Sequence, residues 1–306
     1  MEKIRAVALC GPTACGKSDL ALSLCTRFPF EIVCMDSMQV YRGMDIGTAK
    51  PTREERQQVP HHLLDVAEPD QPFSVAEYVE MALPVCREIT SRRKIPLFVG
   101  GTGLYLKALL HGLSLGEVGE DPALRQELNQ IALEENGKLR LHRMLEELNP
   151  ERASQLHPND LRRVIRAIEI ARTGGEKPRE TESDYDLLPL CIRMERAQLY
   201  ERVEKRVDRM LEAGLPREVL ALKEAGIGAQ MQSMQGIGYK ELFPWTEGKA
   251  SLEEARREIV LATRHYAKRQ ETWFKGEKAM IFLEAGKDLP ERASGEIQAW
   301  LEEKGK

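Results

Sequence analysis

No two of the six cysteines form a CxxC pair. Cys10, Cys15, Cys25, Cys34, Cys86 and Cys191 are scattered, and four of them sit in or beside apolar runs expected to be buried. That spacing argues against a zinc site and a disulfide framework, and for reduced thiols in a cytosolic protein. No apolar run approaches the roughly 18 residues of a membrane span, and Met1-Glu-Lys-Ile-Arg5 leads straight into a strand. The chain thus reads as carrying neither leader nor anchor, and a cytoplasmic location is expected. Internal repeats and low-complexity tracts are also missing. Neither charge sign dominates: 45 Lys and Arg against 49 Asp and Glu give a net charge of −4, which alone argues against a nucleic-acid partner.

What is present points elsewhere. The 306 residues, 42% of them hydrophobic, are enough for a full α/β core and exceed the size at which one core usually stops growing, so two lobes are expected. The charge is unevenly spread. Gly137 to Arg179 holds ten Lys/Arg against six Asp/Glu, and Arg256 to Lys278 seven against three, so these stretches carry +8 and the remainder −12. Taken alone, each stretch fits a solvated helix face as well as a footprint for a polyanion.

The most specific signal is Gly11-Pro12-Thr13-Ala14-Cys15-Gly16-Lys17-Ser18, which fits the phosphate-loop pattern GxxxxGK[ST] directly after the apolar run Ile4 to Cys10. An amphipathic segment, Asp19 to Thr26, follows. A strand, a glycine loop and a helix start in that order aim backbone N–H groups and a helix N-terminus at one anion, and Lys17 adds a mobile charge. The loop is a polyphosphate cradle; by itself it does not say whether the polyphosphate is a nucleotide.

Short apolar runs alternate with helical patterns along the chain. Strands are expected at Ile4 to Cys10, Glu31 to Met35, Leu63 to Val66, Pro96 to Val99, Leu188 to Met194 and Met280 to Leu283, with helices such as Ser74 to Thr90 and Gln198 to Glu212 between them. This rhythm predicts a P-loop NTPase-like α/β fold, a parallel sheet covered by helices on both faces, with its ligand at the carboxyl ends of the strands. It breaks between Gly112 and Ser183. Asp121-Pro122 opens one helix, a second runs from about Lys138 to the stop Asn149-Pro150, and a third follows Pro158-Asn159. Thr173 to Ser183 has no periodicity and reads as a flexible loop. The expected division is a core of residues 1–113 and 187–306 and an all-helical insertion of residues 114–186.

Six motifs in this order carry a family resemblance: the phosphate loop, Asp36-Ser-Met-Gln-Val-Tyr41, Asp45-Ile-Gly-Thr-Ala-Lys-Pro51, Val99-Gly-Gly-Thr-Gly-Leu-Tyr105, His157-Pro-Asn-Asp160 and Lys268-Arg-Gln-Glu-Thr-Trp273. Over nearly its whole length the chain closely resembles the bacterial tRNA dimethylallyltransferases, also called isopentenyl-diphosphate:tRNA transferases. The resemblance implies transfer of a dimethylallyl group from dimethylallyl diphosphate to the exocyclic amine of adenosine 37, beside the anticodon, without nucleotide hydrolysis. It implies that the loop, Gly11 to Ser18, holds an isoprenoid diphosphate. It assigns tRNA contacts to Asp36, Ser37, Met38, Gln39 and Thr102, to Arg125, to Arg162, Arg163, Val164, Ile165 and Arg166, and to Lys268, Arg269, Gln270, Glu271, Thr272 and Trp273. The Arg162 and Lys268 segments fall inside the two basic stretches. Cys15 stands where the family more often has serine, a change that a position used through its N–H tolerates. Paired Cys and His after Trp273, the zinc finger of eukaryotic relatives, are missing, so the bacterial type is indicated.

Roles follow from the chemistry. An adenine amine is a poor nucleophile and needs a base to accept its proton; Asp36, at the end of the strand after the phosphate loop's helix, is the candidate, the alternative being a turn cap. Thr102 can set a hydroxyl against the same amine, or be a turn residue only. Lys17 and the N–H groups from Thr13 to Ser18 offset charge on the departing diphosphate, and the Ser18 hydroxyl would hold Mg²⁺. Trp273 is either a core aromatic or a stacking platform. The lining of the isoprenoid slot and any arginine completing the diphosphate clamp have no signal in the sequence. A small-molecule P-loop kinase shares loop and sheet but has no use for a KRQxTW helix. A GTP switch needs an NKxD motif that is missing, and a non-catalytic RNA-binding protein leaves the phosphate loop without purpose.

Overall fold

In the strand Ile4–Cys10, Ala6, Ala8 and Cys10 point to one side and Val7 and Leu9 to the other, and all five are fully buried. A strand apolar on both sides needs a cover on both faces, which is the requirement of a parallel sheet. The computed structural model describes residues 2–114, 121–174 and 179–303. The chain divides into two compact units, one of Met1–His111 with Ser183–Lys306 and one of Gly112–Glu182.

In the first unit, β1 (Ile4–Cys10) leads through the glycine loop into α1 (Lys17–Cys25) and β2 (Phe30–Cys34), followed by α2 (Arg53–Gln58), the two-residue β3 (His61–His62), α3 (Val75–Ser91), β4 (Ile95–Val99) and α4 (Gly103–His111). The helical unit begins with β5 (Leu113–Ser114), continues with α5 (Pro122–Leu133), α6 (Gly137–Leu148), α7 (Pro150–Ser154) and α8 (Leu161–Thr173), and returns through β6 (Arg179–Glu180). The first unit resumes with β7 (Tyr185–Arg193), α9 (Arg196–Glu212), α10 (Leu215–Glu224), α11 (Tyr239–Thr246), α12 (Leu252–Lys275), β8 (Ile281–Glu284) and α13 (Leu289–Glu302). The sheet order is β3-β2-β4-β1-β7-β8, parallel throughout. The strand feeding the phosphate loop is therefore central. Cys10 lies in register with Cys191 on β7, and Leu9 with Val99 on β4.

Local chemistry sets many of the boundaries. Ser74 accepts the Glu77 N–H while Glu77 reaches back to the Ser74 N–H, a capping box that starts α3; Thr52 with Glu55 and Ser251 with Glu254 do the same for α2 and α12. Each buried Leu, Val or Ile of the two covered faces contributes on the order of 1.5–3 kcal/mol. One expected strand does not form. At Leu63 to Val66 the backbone turns, with positive φ at Leu63 and Asp65, because the Asp65 carboxylate is drawn to Lys50 Nζ at 2.6 Å and Arg56 at 2.8 Å; only Tyr41 and Ala67 bridge there. The returning strand starts at Tyr185, three residues before the expected Leu188.

The helical unit has its own core, in which Leu128, Leu141, Leu145, Val164 and Ile168 are fully buried. Asp121 caps α5 by accepting the Leu124 N–H at 3.0 Å, with Pro122 at the first helical position. Asn149-Pro150 ends α6 as expected, but the same pair opens the short α7, since Asn149 Oδ1 caps the Arg152 N–H. Thr173 to Ser183 is not wholly irregular: Glu180 pairs with Leu113 in an antiparallel ribbon, while residues 175–178 lie outside the described residues. Val164 and Ile165, expected among the RNA contacts, are buried in this core, so their side chains hold the unit together instead.

Candidate functional site

The phosphate loop leaves β1 with Gly11 at φ 145° and curls through Ala14 at φ 66° and Gly16 at φ 96°. A Cβ on Gly11 would stand 2.9 Å from Cys15 Sγ and 3.0 Å from the Ile192 carbonyl, so only glycine fits there. Ala14, without that freedom, is held in a strained conformation of the kind that accumulates at binding loops. The first turn of α1 has Gly16 at its cap and no side chain on its amides, which leaves them facing outward as anion donors. The cradle is narrower than expected. The Thr13 N–H donates to Gln270 Oε1 at 2.9 Å and the Cys15 N–H to the Pro12 carbonyl at 3.3 Å, so the amides of Ala14, Gly16, Lys17 and Ser18 remain. Lys17 Nζ is folded over the loop, 3.0 Å from the Gly11 carbonyl and 2.8 Å from that of Pro12.

The parallel pairing of β2 with β4 brings two separate motifs to one sheet edge. Thr102 Oγ1 accepts the Ser37 N–H at 3.0 Å, and the Thr102 N–H reaches the Met35 carbonyl. Gly100 permits that approach, because a Cβ there would lie 2.0 Å from the Met35 oxygen. The end of β2 is held from the other side by Tyr78, whose hydroxyl donates to the Cys34 carbonyl at 3.0 Å and whose ring stacks on Tyr105 at 3.9 Å. Asp36 uses Oδ1 to accept the Met38 N–H at 2.9 Å, an Asx turn; among the described residues no donor reaches Oδ2. The two roles open to Asp36 on sequence grounds, turn cap and proton acceptor, are thus compatible on one carboxylate.

Phosphate loop and sheet edge open into one cleft of about 840 Å³, lined among others by Thr13, Lys17, Ser18, Asp36, Gln39, Tyr266 and Gln270. Opposite the loop stand three residues that sequence reasoning missed. Arg202, Arg206 and Arg209 on α9 all line the cleft. The Arg202 guanidinium lies 3.6 Å from the position a Gly16 Cβ would take. Burial pushes Arg206 down from its ordinary pKa, and the negative Asp36 nearby opposes that. Their spacing, i, i+4 and i+7, runs beside the buried stripe Leu199, Val203, Val207 and Met210. That spacing is a readable signal, but one that any solvated helix face also gives. Asp208 pairs with Arg256 at 2.6 Å and Glu204 with Arg264, so α12 fixes the rotation of α9 that turns these arginines to the cleft.

The remaining expected residues separate into groups. On α12, Lys268, Arg269 and Thr272 are exposed and Glu271 is half-exposed, whereas Gln270 is buried and bridges Thr13 to the Gly101 carbonyl, which it meets at 2.9 Å. Trp273 is half-buried, with its ring over Gly103 and edge-on to Phe274. In the helical unit, Arg125 Nη2 at 2.9 Å and Arg166 meet the fully buried Glu169, which also accepts the Asp121 N–H at 2.7 Å. Burial pushes Glu169 up, but these partners outweigh it and hold the carboxyl below its ordinary value. Arg125 and Arg166 therefore have a structural assignment inside the unit, while Arg162 and Arg163 are exposed on α8, with Arg163 3.4 Å from Asp160.

A phosphate loop at the centre of a parallel sheet, with a carboxylate and arginines around one cleft, defines a P-loop-like α/β enzyme acting on a phosphorylated substrate. Residues 39–277 match the pattern of the IPP transferase family and residues 4–70 that of isopentenyl transferases. The tRNA dimethylallyltransferase of Caldicellulosiruptor saccharolyticus is 42% identical over 294 residues, 94% of each chain, and tRNA dimethylallyltransferase 1 of Pelobacter propionicus is 48% identical over 92% of each. Among solved structures, the tRNA isopentenylpyrophosphate transferase of Bacillus halodurans superposes with a TM-score of 0.72 at 40% identity, covering 99% of this chain and 100% of that one. A eukaryotic dimethylallyltransferase acting on tRNA superposes at 0.76 with 27% identity, over 97% of this chain and 80% of that one. The chain belongs to the IPP transferase family, whose curated relatives here are tRNA dimethylallyltransferases.

Proposed function

We propose that this protein transfers a dimethylallyl group from dimethylallyl diphosphate to the exocyclic amine of adenosine 37 in tRNA, releasing diphosphate. The observation that carries the reading is the convergence of an outward-facing phosphate loop, the Asp36 carboxylate and the α9 arginines on one cleft. In this reading the amides of Ala14, Gly16, Lys17 and Ser18, with the Lys17 ammonium, Arg202 and Arg206, surround the diphosphate. Lys17 exchanges its loop carbonyls for phosphate oxygens. The adenine is extruded from its stack to reach the sheet edge. As the amine nitrogen bonds to C1 of the isoprenoid, the C1–oxygen bond breaks, the electron pair leaves with diphosphate, and Asp36 Oδ2 takes the amine proton.

Mg²⁺ fits this donor set. The described residues contain no group of three His, Cys, Asp or Glu suited to a metal, and Ser18, which is exposed, lines the cleft beside Lys17. An ion that favours phosphate oxygens and water would be held by Ser18 and the diphosphate, and would supply charge neutralisation on the leaving group. Arg162, Arg163, Lys268 and Arg269, exposed within the basic stretches, are the phosphate-contacting candidates for the anticodon stem-loop. No helix among the described residues is long and apolar enough to cross a membrane, and a cytoplasmic location accords with a tRNA substrate. The test is a substrate assay: dimethylallyl diphosphate with tRNA should yield diphosphate and a prenylated adenosine, and ATP or GTP should not turn over. Hydrolysis of either nucleotide, without prenyl transfer, would return the site to the kinase class.

A further inference from the structure

The Asp45-Ile-Gly-Thr-Ala-Lys-Pro51 motif has no part in the chemistry above, yet it is held at both ends by dense polar bonding. The N–H groups of Asp45, Ile46 and Gly47 converge on one carboxylate, that of Glu218 on α10, at 2.9 and 2.8 Å to Oε2 and 3.1 Å to Oε1. A row of successive amides is an anion nest, and the bonds to a carboxylate are charge-assisted. Tyr239 adds its hydroxyl to Glu218 Oε1 at 2.6 Å, and its ring fills the space over Gly47, where a Cβ would come within 2.5 Å. The far end of the loop is held by Lys50, whose buried ammonium meets Asp45 at 2.7 Å, Asp65 at 2.6 Å and the Tyr41 carbonyl at 2.7 Å.

Between these two anchors, the carbonyls of Thr48 and Ala49 both receive Gln39 Nε2, at 3.1 and 3.2 Å. The Cys34 thiol lies 3.5 Å from Gln39 Oε1 on the other side of the carboxamide. Both amide hydrogens of Gln39 are thereby directed at the loop, and its oxygen has a fixed direction in the cleft. Gln39 does not hold itself; the loop does.

We propose that Glu218 is a positioning residue for tRNA recognition: by filling the nest it fixes residues 45–49, whose carbonyls set the Gln39 carboxamide in the orientation that meets the RNA. This rests on the reading that Gln39 contacts the extruded base or its neighbours. Nothing else about Glu218 requires it to affect the diphosphate, which is held by the phosphate loop and α9.

The test is a double-mutant cycle on the full chain with dimethylallyl diphosphate and a tRNA anticodon stem-loop, using Glu218→Ala, Gln39→Ala and the pair. Each single variant should raise KM for the RNA about tenfold, the value of one well-oriented contact to a base edge, with KM for dimethylallyl diphosphate unchanged. The double variant should be no worse than Gln39→Ala alone, because Glu218 acts through Gln39. If Glu218→Ala does not fold, Glu218→Gln carries the same cycle: its size is kept, but an NH₂ faces donors. Tyr239→Phe, which leaves the nest filled, should be milder than either. Effects that multiply in the double variant, or equal changes in KM for both substrates, would reduce Glu218 to a general structural role. A silent Gln39→Ala with wild-type prenyl transfer intact would overturn this inference and leave the proposed function standing. Absence of prenyl transfer in the wild type would remove the function itself.

Discussion

Gln270 Oε1 accepts the backbone N–H of Thr13 at 2.9 Å across 257 positions of sequence, and the Nε2 of the same side chain donates to the Gly101 carbonyl at 2.9 Å. One buried carboxamide thus joins the phosphate loop, the turn after β4 and the long helix α12. Gln270→Ala leaves the buried Gly101 carbonyl unpaired, at a cost of about 1–3 kcal/mol, and removes the partner of the part-buried Thr13 N–H. A lowered melting temperature together with a higher KM for dimethylallyl diphosphate is expected from thermal unfolding and steady-state kinetics. A variant that unfolds like wild type and binds both substrates normally would show the bridge to be incidental.

Lys17 is the mobile charge of the cradle. Lys17→Ala should weaken binding and turnover of dimethylallyl diphosphate, with a rate loss of about 10²-fold to 10³-fold, while tRNA affinity stays nearly constant. Full prenyl transfer by this variant would remove the phosphate loop from the reaction.

Asp36→Asn keeps the Asx turn to Met38, because the amide oxygen still accepts, but it takes no proton. A fall in single-turnover rate of about 10²-fold to 10⁴-fold with small changes in binding is expected. A large loss of tRNA affinity with unchanged chemistry would make Asp36 a binding residue.

Arg162 and Arg163 project from α8 beside a buried stripe, whereas Arg166 and Arg125 are engaged with Glu169. Arg162→Ala or Arg163→Ala should weaken every substrate tRNA about equally and lower the log–log salt slope of binding by about 0.7 to 0.9 for each phosphate that is no longer neutralised. Arg166→Ala should instead destabilise the helical unit. Salt titrations with unchanged slopes in both exposed-arginine variants would return these residues to a solvated face.

Glu31 on β2 is buried and receives Arg92 at 2.7 Å and His62 at 2.8 Å. The Arg92 hydrogen bond holds its carboxyl below the usual range, against the upward push of burial and with help from His62. The sign follows from linkage. The folded value is the lower one, so the stabilisation is complete above the ordinary glutamate pKa of about 4.3 and is lost as pH falls from there through the folded value. Glu31→Gln should flatten the acid limb of a melting-temperature profile. An unchanged limb would place the acid sensitivity elsewhere.

Local events are legible in the order of the residues. The phosphate loop, the capping boxes at Ser74 and Ser251, the Asp121-Pro122 helix start and the strands that are apolar on both sides follow from periodicity and from side chains within four residues of the backbone groups they satisfy. Even here the run Leu63 to Val66 misleads, because its apolar residues belong to a turn drawn in by Lys50 and Arg56. Tertiary structure alone decided which distant groups meet. The parallel order places β4 beside β2 and so Thr102 beside Ser37. The pairing of α9 with α12 turns Arg202 and Arg206 to the cleft, and the burial of Val164 places it in the core of the helical unit. The physical reason is that a helix or turn is stabilised by neighbours in sequence, whereas the direction a charged side chain faces is set by whatever packs on the other side of its helix.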